Sequence, residues 1–274
     1  IQKAWAYLER NRGTYVSHTS NNALFKENFA QLMILEATGN SDLVKLEGHE
    51  GRWNFFQGEL VSWDDSFLRT YAHSDRDDLE TTSLGLTIAP EISREQCDHI
   101  LDDMLTYRNQ DGILQLYYDR TRPRIDAVCA VNILTFFFRN GRGMEVKETL
   151  AWVFQVLKNR EYLNGTDYYV TAETFLHALA RLLPSIPDVP KEILDTFKEA
   201  IQERLGMPGD ALTLALRIIA AARAGLCAER DLTCLLEMQE SDGSFDGYIY
   251  RFRRSGILIG NNGLATALGL QAMK

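Results

Sequence analysis

Apolar residues recur at three- and four-residue intervals along almost the whole of this 274-residue chain, the spacing that lines one face of an α-helix. Phe25, Phe29, Leu32, Met33 and Leu35 follow it, as do Ile100, Leu101, Met104 and Leu105 after the start signal Ser93-x-x-Gln96. Further helices read at about Ile125 to Phe138, Met144 to Leu157, Thr171 to Leu183, Lys191 to Leu205, Ala211 to Ala224, Asp231 to Met238 and Asn262 to Met273. Their ends carry Asn140-Gly141, Pro184, Gly206 and Gly225, residues that stop a helix or turn the chain. Strand-like alternation is nearly absent, so the pattern predicts an all-α fold of about ten or more helices.

The segments between helices carry a second, looser pattern. Gly51-Arg52-Trp53, Asn109-Gln110-Asp111-Gly112-Ile113, Asn164-Gly165-Thr166-Asp167-Tyr168-Tyr169 and Gln239-Glu240-Ser241-Asp242-Gly243-Ser244-Phe245 each join a Gly to a large apolar or aromatic residue. They return at roughly 55 to 80 residues, a period that suggests stacked helical hairpins closing on themselves. The expectation is one α/α barrel, or toroid, of paired helices over residues 1–274. Its composition, 45% hydrophobic and 24% charged, suffices for one large core or two small ones. A net charge of −9 argues against nucleic acid or an anionic membrane surface as the main partner. With no run of eighteen apolar residues there is no membrane span. Cys97, Cys129, Cys227 and Cys234 form no CxxC pair and read as buried thiols of a reducing, cytoplasmic setting. The sequence begins at Ile1 inside an apparent helix, without an initiator Met, as a processed or excised piece would.

One segment carries chemistry. Asp75-Arg76-Asp77-Asp78-Leu79-Glu80-Thr81-Thr82-Ser83 holds four carboxylates in six residues and runs into the apolar Leu84-Gly85-Leu86-Thr87-Ile88-Ala89. Such a cluster caps a helix N-terminus, where unpaired amides accept acidic side chains. Alternatively, a carboxyl held away from water stays protonated and serves as an acid.

Asp78-Leu79-Glu80-Thr81-Thr82 resembles the Asp-x-Asp-Thr-Thr acid motif of drimane-type class II terpene cyclases, with Glu80 in place of the central Asp. Gln239 to Phe245 resembles the Gln-Trp motifs of squalene and terpene cyclases, which are fold markers: Gly permits the turn while Gln and Asp tie helix ends. Tyr117 to Val128, with Arg122-Pro123-Arg124-Ile125-Asp126, and then Val131-Asn132-Ile133-Leu134, is similar to the cyclase family whose terpene-cyclase domain follows a haloacid-dehalogenase-like domain. Asn159 to Tyr169, Phe175 to Leu182 and Gly260 to Leu268 look like further segments of it, so the likeness runs from about Asn28 to Ala272. No strand ending in Asp-x-Asp lies upstream, so the phosphatase half is absent from this chain.

The resemblance implies a prenyl diphosphate substrate, farnesyl diphosphate for a bicyclic drimane product, with Mg²⁺ assisting the diphosphate grip. It implies that Glu80 donates the proton, that Asp78 polarises it, and that Thr81 and Thr82 hold the carboxyl rotamers. Asp-to-Glu changes intrinsic acidity by only about 0.4 units. The added methylene matters more, since a displacement of about 1 Å can cost on the order of a hundredfold. Asp126 and Asn132, about two turns apart, would hydrogen-bond the acid or simply pair helices. Arg122 and Arg124 would fork onto the diphosphate or form a surface loop; Arg251, Arg253 and Arg254 make a second basic cluster. Trp53, Phe55, Phe56, Trp63, Tyr117, Tyr118, Tyr168 and Tyr169 would stabilise a carbocation over their ring faces or belong to the core. His18, His49, His73, His99 and His177 show no ligand spacing, and no metal ligands are assigned.

Two other classes fit parts of the pattern: a helical-barrel inverting glycosidase with paired acids, and a lapsed cyclase-like module that binds an isoprenoid or steadies a partner domain.

Overall fold

The computed structural model describes residues 1–48, 51–62, 77–89 and 92–274. Trp63, Asp75, Arg76, His49 and His73 lie outside the described residues. Eleven α-helices are described: α1 Gln2–Arg10, α2 Asn28–Thr38, α3 Leu79–Ile88, α4 Arg94–Leu105, α5 Ala127–Arg139, α6 Lys147–Lys158, α7 Ala172–Leu182, α8 Lys191–Gln202, α9 Ala211–Arg223, α10 Glu229–Glu237 and α11 Asn262–Ala272. Among the described residues no helix is long and apolar enough to cross a membrane.

Two kinds of helix alternate, and their sequences show why. In α5 every residue from Ala127 to Phe138 is buried, whereas α8 buries only Ile193, Phe197, Ala200 and Ile201. A helix apolar all round belongs inside; one with a single apolar stripe lies over it. The inner set, α2, α3, α5, α7, α9 and α11, packs in that order, and α11 returns to α2 to close a ring. Outside it, α1 lies against α11, α6 against α5, and α8 and α10 against α9. Ser93 and Gln96 form the capping box the sequence predicts at the start of α4.

The expectation of an all-α barrel is nonetheless wrong. Five short strands, β1 Ser17–Thr19, β2 Leu24–Glu27, β3 Phe56–Ser62, β4 Tyr248–Arg251 and β5 Leu258–Gly260, form an antiparallel sheet in the order β3-β2-β1-β5-β4. The fold is mixed. Four of the five strands have only three or four residues, too few to display a clear period of two, and the pairing is non-local: His18 pairs with Gly260. Phe25, which fits the helical spacing, lies in β2 opposite Leu60.

The sheet sits where the inner helices begin. Glu27, which caps α2, accepts from Tyr250 on β4; Asp210, which caps α9, accepts from the amide of Tyr248; Asn261, which caps α11, donates to Ser17 on β1. The amide of Val170, just before α7, donates to the carbonyl of Ile249. Inner-helix N-termini thus gather at one end of the ring, the end of their dipoles that favours negative charge.

The turn at Gly243 is structural, as read for the Gln239 to Phe245 segment. Gly243 has φ +95°, and a Cβ there would lie 2.2 Å from the Lys3 carbonyl oxygen, so the turn admits α1 only with glycine. Gln239 Nε2 donates to the Gly243 carbonyl at 3.0 Å and Phe245 is fully buried.

Candidate active site

A cavity opens at the N-terminal end of α3 and α5, between them and the sheet. Its volume is about 130 Å³ and it is open to solvent on one side. Two backbone bridges assemble it: Asp78 pairs with Tyr117, joining the acid motif to the loop of Arg122 and Arg124, and Tyr169 pairs with Tyr250.

Asp78 caps α3, its Oδ1 accepting from the Thr81 amide at 2.6 Å. The capping reading of the acidic cluster therefore holds for Asp78. Glu80, in the first turn, is buried in the cavity wall. Its Oε1 accepts from Asn132 Nδ2 at 2.7 Å and from the Tyr169 hydroxyl at 2.6 Å. Its Oε2 lies 2.8 Å from Cys129 Sγ. All three donors are neutral. Burial dominates the Glu80 carboxyl and pushes it up to about 7 against the lowering effect of those donors; Asp126 raises it further. Burial likewise lifts Asp78 to about 7. Burial first, and the Glu80 charge second, keep the Cys129 thiol and the Tyr169 phenol protonated.

Asp126 is the N-cap of α5, accepting from the amides of Val128 at 2.9 Å and Cys129 at 3.3 Å, and burial raises its carboxyl. Thr81 lines the cavity. Thr82 does something else: its hydroxyl accepts from the Trp53 amide at 2.8 Å, fixing the chain before the acid motif. Trp53 packs on α3, where a Cβ at Gly85 would come within 2.6 Å of its ring, and it does not line the cavity.

Aromatic rings form much of the wall: Phe55, Phe56, Tyr117, Tyr168, Tyr169, Tyr250 and Phe252. At the mouth stand Arg122, Arg124, Arg251, Arg253 and Arg254. The Arg122 guanidinium lies 3.6 Å over the Tyr117 ring, and Arg124 Nη1 donates to the Tyr168 hydroxyl at 3.1 Å. The two basic clusters, separate in the sequence, share one rim. Of these five arginines, only Arg253 has an ion-pair partner among the described residues, Asp167. No group of three or more His, Cys, Asp or Glu side chains that could hold a metal occurs among the described residues.

Sequence reasoning passes over Cys129, Tyr250 and Phe252. Cys129 stands one turn after Asp126 on the face that meets α3, a position helical spacing shows only once the partner helix is known. The four thiols are free; Cys97 and Cys129 are buried, but Cys227 is exposed and Cys234 half-buried, against the expectation that all are buried.

Residues 1–140 match the family described as sesquiterpene cyclase astC-like C-terminal domain. Drimenol cyclase drtB of Aspergillus calidoustus is 38% identical over 275 residues, a match covering 99% of this chain and 50% of that protein. The chain thus spans about half the length of this curated relative. Among solved structures, the type II terpene cyclase MstE from Scytonema, as a variant in complex with geranylgeranyl dihydroxybenzoate, superposes with a TM-score of 0.69 at 11% identity, covering 100% of this chain and 95% of that one. The apo form of the same enzyme gives 0.64 at 12% identity, with the same coverage. At such identities the likeness is one of fold.

Proposed function

Because this chain belongs to the sesquiterpene cyclase astC-like family, we propose that it is a class II cyclase that folds farnesyl diphosphate into a drimane-type bicycle with the diphosphate retained. The observation that carries this reading is Glu80: a buried carboxyl at a cavity wall, touched among the described residues only by neutral donors and raised to about 7. An alkene is a very weak base, so its proton donor must be undissociated and shielded from water. In the proposed step the Glu80 O–H bond breaks and a C–H bond forms at the distal alkene. The resulting cation is attacked by the next alkene, and the last cation loses a proton to a base or takes up water that then loses one. Glu80, left as a carboxylate, regains its proton from solvent before the next turnover. The rings of Phe55, Phe56, Tyr169 and Tyr250 present π-faces and edges along the path of the charge.

Arg122 and Arg124, joined by Arg251, grip the diphosphate at the mouth. Magnesium enters this reading as an ion carried on the diphosphate, since the described residues offer arginines at the rim and no carboxylate cage. Removal of the diphosphate falls to a separate phosphatase activity, of the haloacid-dehalogenase-like kind the resemblance implies. The setting is reducing and cytoplasmic.

The test is direct. The protein is incubated with farnesyl or geranylgeranyl diphosphate and Mg²⁺, with and without chelator, the products are dephosphorylated, and the hydrocarbons and alcohols are identified. A bicyclic alcohol from farnesyl diphosphate is expected; recovery of farnesol alone sinks the reading and favours a lapsed, isoprenoid-binding module. Glu80→Asp separates the two further: in a cavity built around Glu it lowers the rate, and in a lapsed enzyme it creates one.

A further inference from the structure

A polar chain leads away from Glu80 into the middle of the helix ring. Asn132 Nδ2 donates to Glu80 Oε1 at 2.7 Å, while Asn132 Oδ1 accepts from Arg181 Nη1 at 2.7 Å. Arg181, on α7, is buried and faces Glu36 near the end of α2, with Nη2 2.9 Å from Oε1 and Nε 2.9 Å from Oε2. Neither Asn132 nor Arg181 lines the cavity, so neither meets a bound substrate.

Arginine is not deprotonated in proteins, so this chain does not conduct protons. What it does is choose an orientation. A buried amide can turn either end toward a carboxyl; a guanidinium on its oxygen leaves only the hydrogens for Glu80. Glu80 Oε1 then receives two donors, from Asn132 and Tyr169. An oxygen that accepts two hydrogen bonds is a poor seat for a proton, which is left on Oε2 beside Cys129. Oε2 receives only the weak S–H donor of Cys129, and Cys129 lines the cavity, so a proton on Oε2 has no strong acceptor beside it and lies toward the substrate side.

We infer that Arg181, held by Glu36, is a positioning residue for the acid, locking the Asn132 amide so that the transferable proton of Glu80 sits on Oε2. The inference rests on Glu80 being the proton donor. Without Arg181, Asn132 turns its oxygen to Glu80 and the carboxyl donates its proton to that oxygen instead of to an alkene.

Around Glu80 the other titratable groups are Asp78 on its own helix, Asp126 and Cys129 on α5, and Tyr169 before α7. Tyr250 on β4 also faces it, with Glu27 behind, at the start of α2. All but Arg181 are neutral or acidic, so removing Arg181 removes the one cation in the chain.

Steady-state kinetics over pH test this on the whole protein. Arg181→Gln is expected to lower kcat about tenfold or more while KM stays within about twofold. It should also move the alkaline limb of the kcat profile to higher pH, because a proton hydrogen-bonded to an amide oxygen is harder to lose. A mere packing role changes stability without moving that limb. In a double-mutant cycle, Arg181→Gln adds nothing to Asn132→Leu if it acts through that amide. Should Arg181→Gln not fold, Asn132→Leu alone carries the same two readouts. An unchanged kcat and limb in the folded variant overturns the inference, as does full additivity. Glu80→Gln keeps the two failures apart. If that variant is active, the reading of Glu80 fails; if it is dead while Arg181→Gln is normal, only the positioning role fails.

Discussion

Two buried carboxylates in this molecule have opposite company. Glu173, on the first turn of α7, meets two guanidinium groups: Arg204 Nε at 2.7 Å and Arg217 Nη2 at 2.8 Å, both on Oε1. Arg217, itself buried, continues to Asp231 Oδ1 at 2.8 Å, which accepts from the Gly206 amide. Charge there is matched by charge, and the cluster ties α7, α9 and α10 together. Glu80 is also buried but touches an amide, a phenol and a thiol, with the Arg181 cation one residue removed, behind Asn132. Burial without a contacting cation keeps a carboxyl protonated, whereas burial with two cations makes an ionic tie. The first arrangement suits an acid and the second a joint.

The largest effects should separate the two groups. Glu80→Gln keeps the shape and loses the proton: cyclisation is expected to fall by on the order of a thousandfold, with the melting temperature unchanged or slightly raised. Glu173→Gln should do the reverse. It strands Arg217 and costs about 3–5 kcal/mol of stability, with turnover per folded molecule preserved. Melting curves and product formation on both variants decide it; a Glu80→Gln protein that is destabilised yet active breaks the comparison.

Next in size is the rim. Arg122→Ala with Arg124→Ala should raise KM about tenfold or more and leave kcat within a few-fold, since these groups bind the unreacting end. If KM is unchanged, the grip belongs to Arg251 and Arg254.

The smallest effect sharpens the comparison through pH. Burial holds Glu27, Asp78 and Glu80 at about 7, above the roughly 4 such groups have in an unfolded chain. Between those values the folded state binds more protons than the unfolded, so stability falls as pH rises. This contribution is complete below about pH 4 and lost as pH climbs through about 7. The melting temperature is expected to drop between about pH 5 and 8, Glu27→Gln should flatten that slope, and turnover should decline over the same window as Glu80 ionises. A melting temperature that rises with pH contradicts the assignment of these three groups.

How much of this was legible beforehand differs element by element. The helical period gives α5, α7, α9 and α11 to within about two residues, and Ser93 with Gln96 marks the start of α4. Asp78, Glu80, Arg122 and Arg124 stand out because their order along the chain is itself the signal. Arg181 carries a weaker one, a charge four residues after His177 in an otherwise apolar helix face. Burial drives that histidine down to about 3, so it adds no charge of its own.

What the amino-acid order determined by itself was therefore local: where helices begin, which are apolar all round, and which turns demand glycine. Tertiary structure decided the rest. The sheet joins Ser17 to Glu27 and Thr19 to Ile259 through contacts that no local period encodes. The same closure of the ring turned Glu80 inward among neutral donors and gave Glu173 two arginines. A carboxyl's chemistry is set by what surrounds it at a few ångströms, and those neighbours come from residues 49 to 89 positions away along the chain.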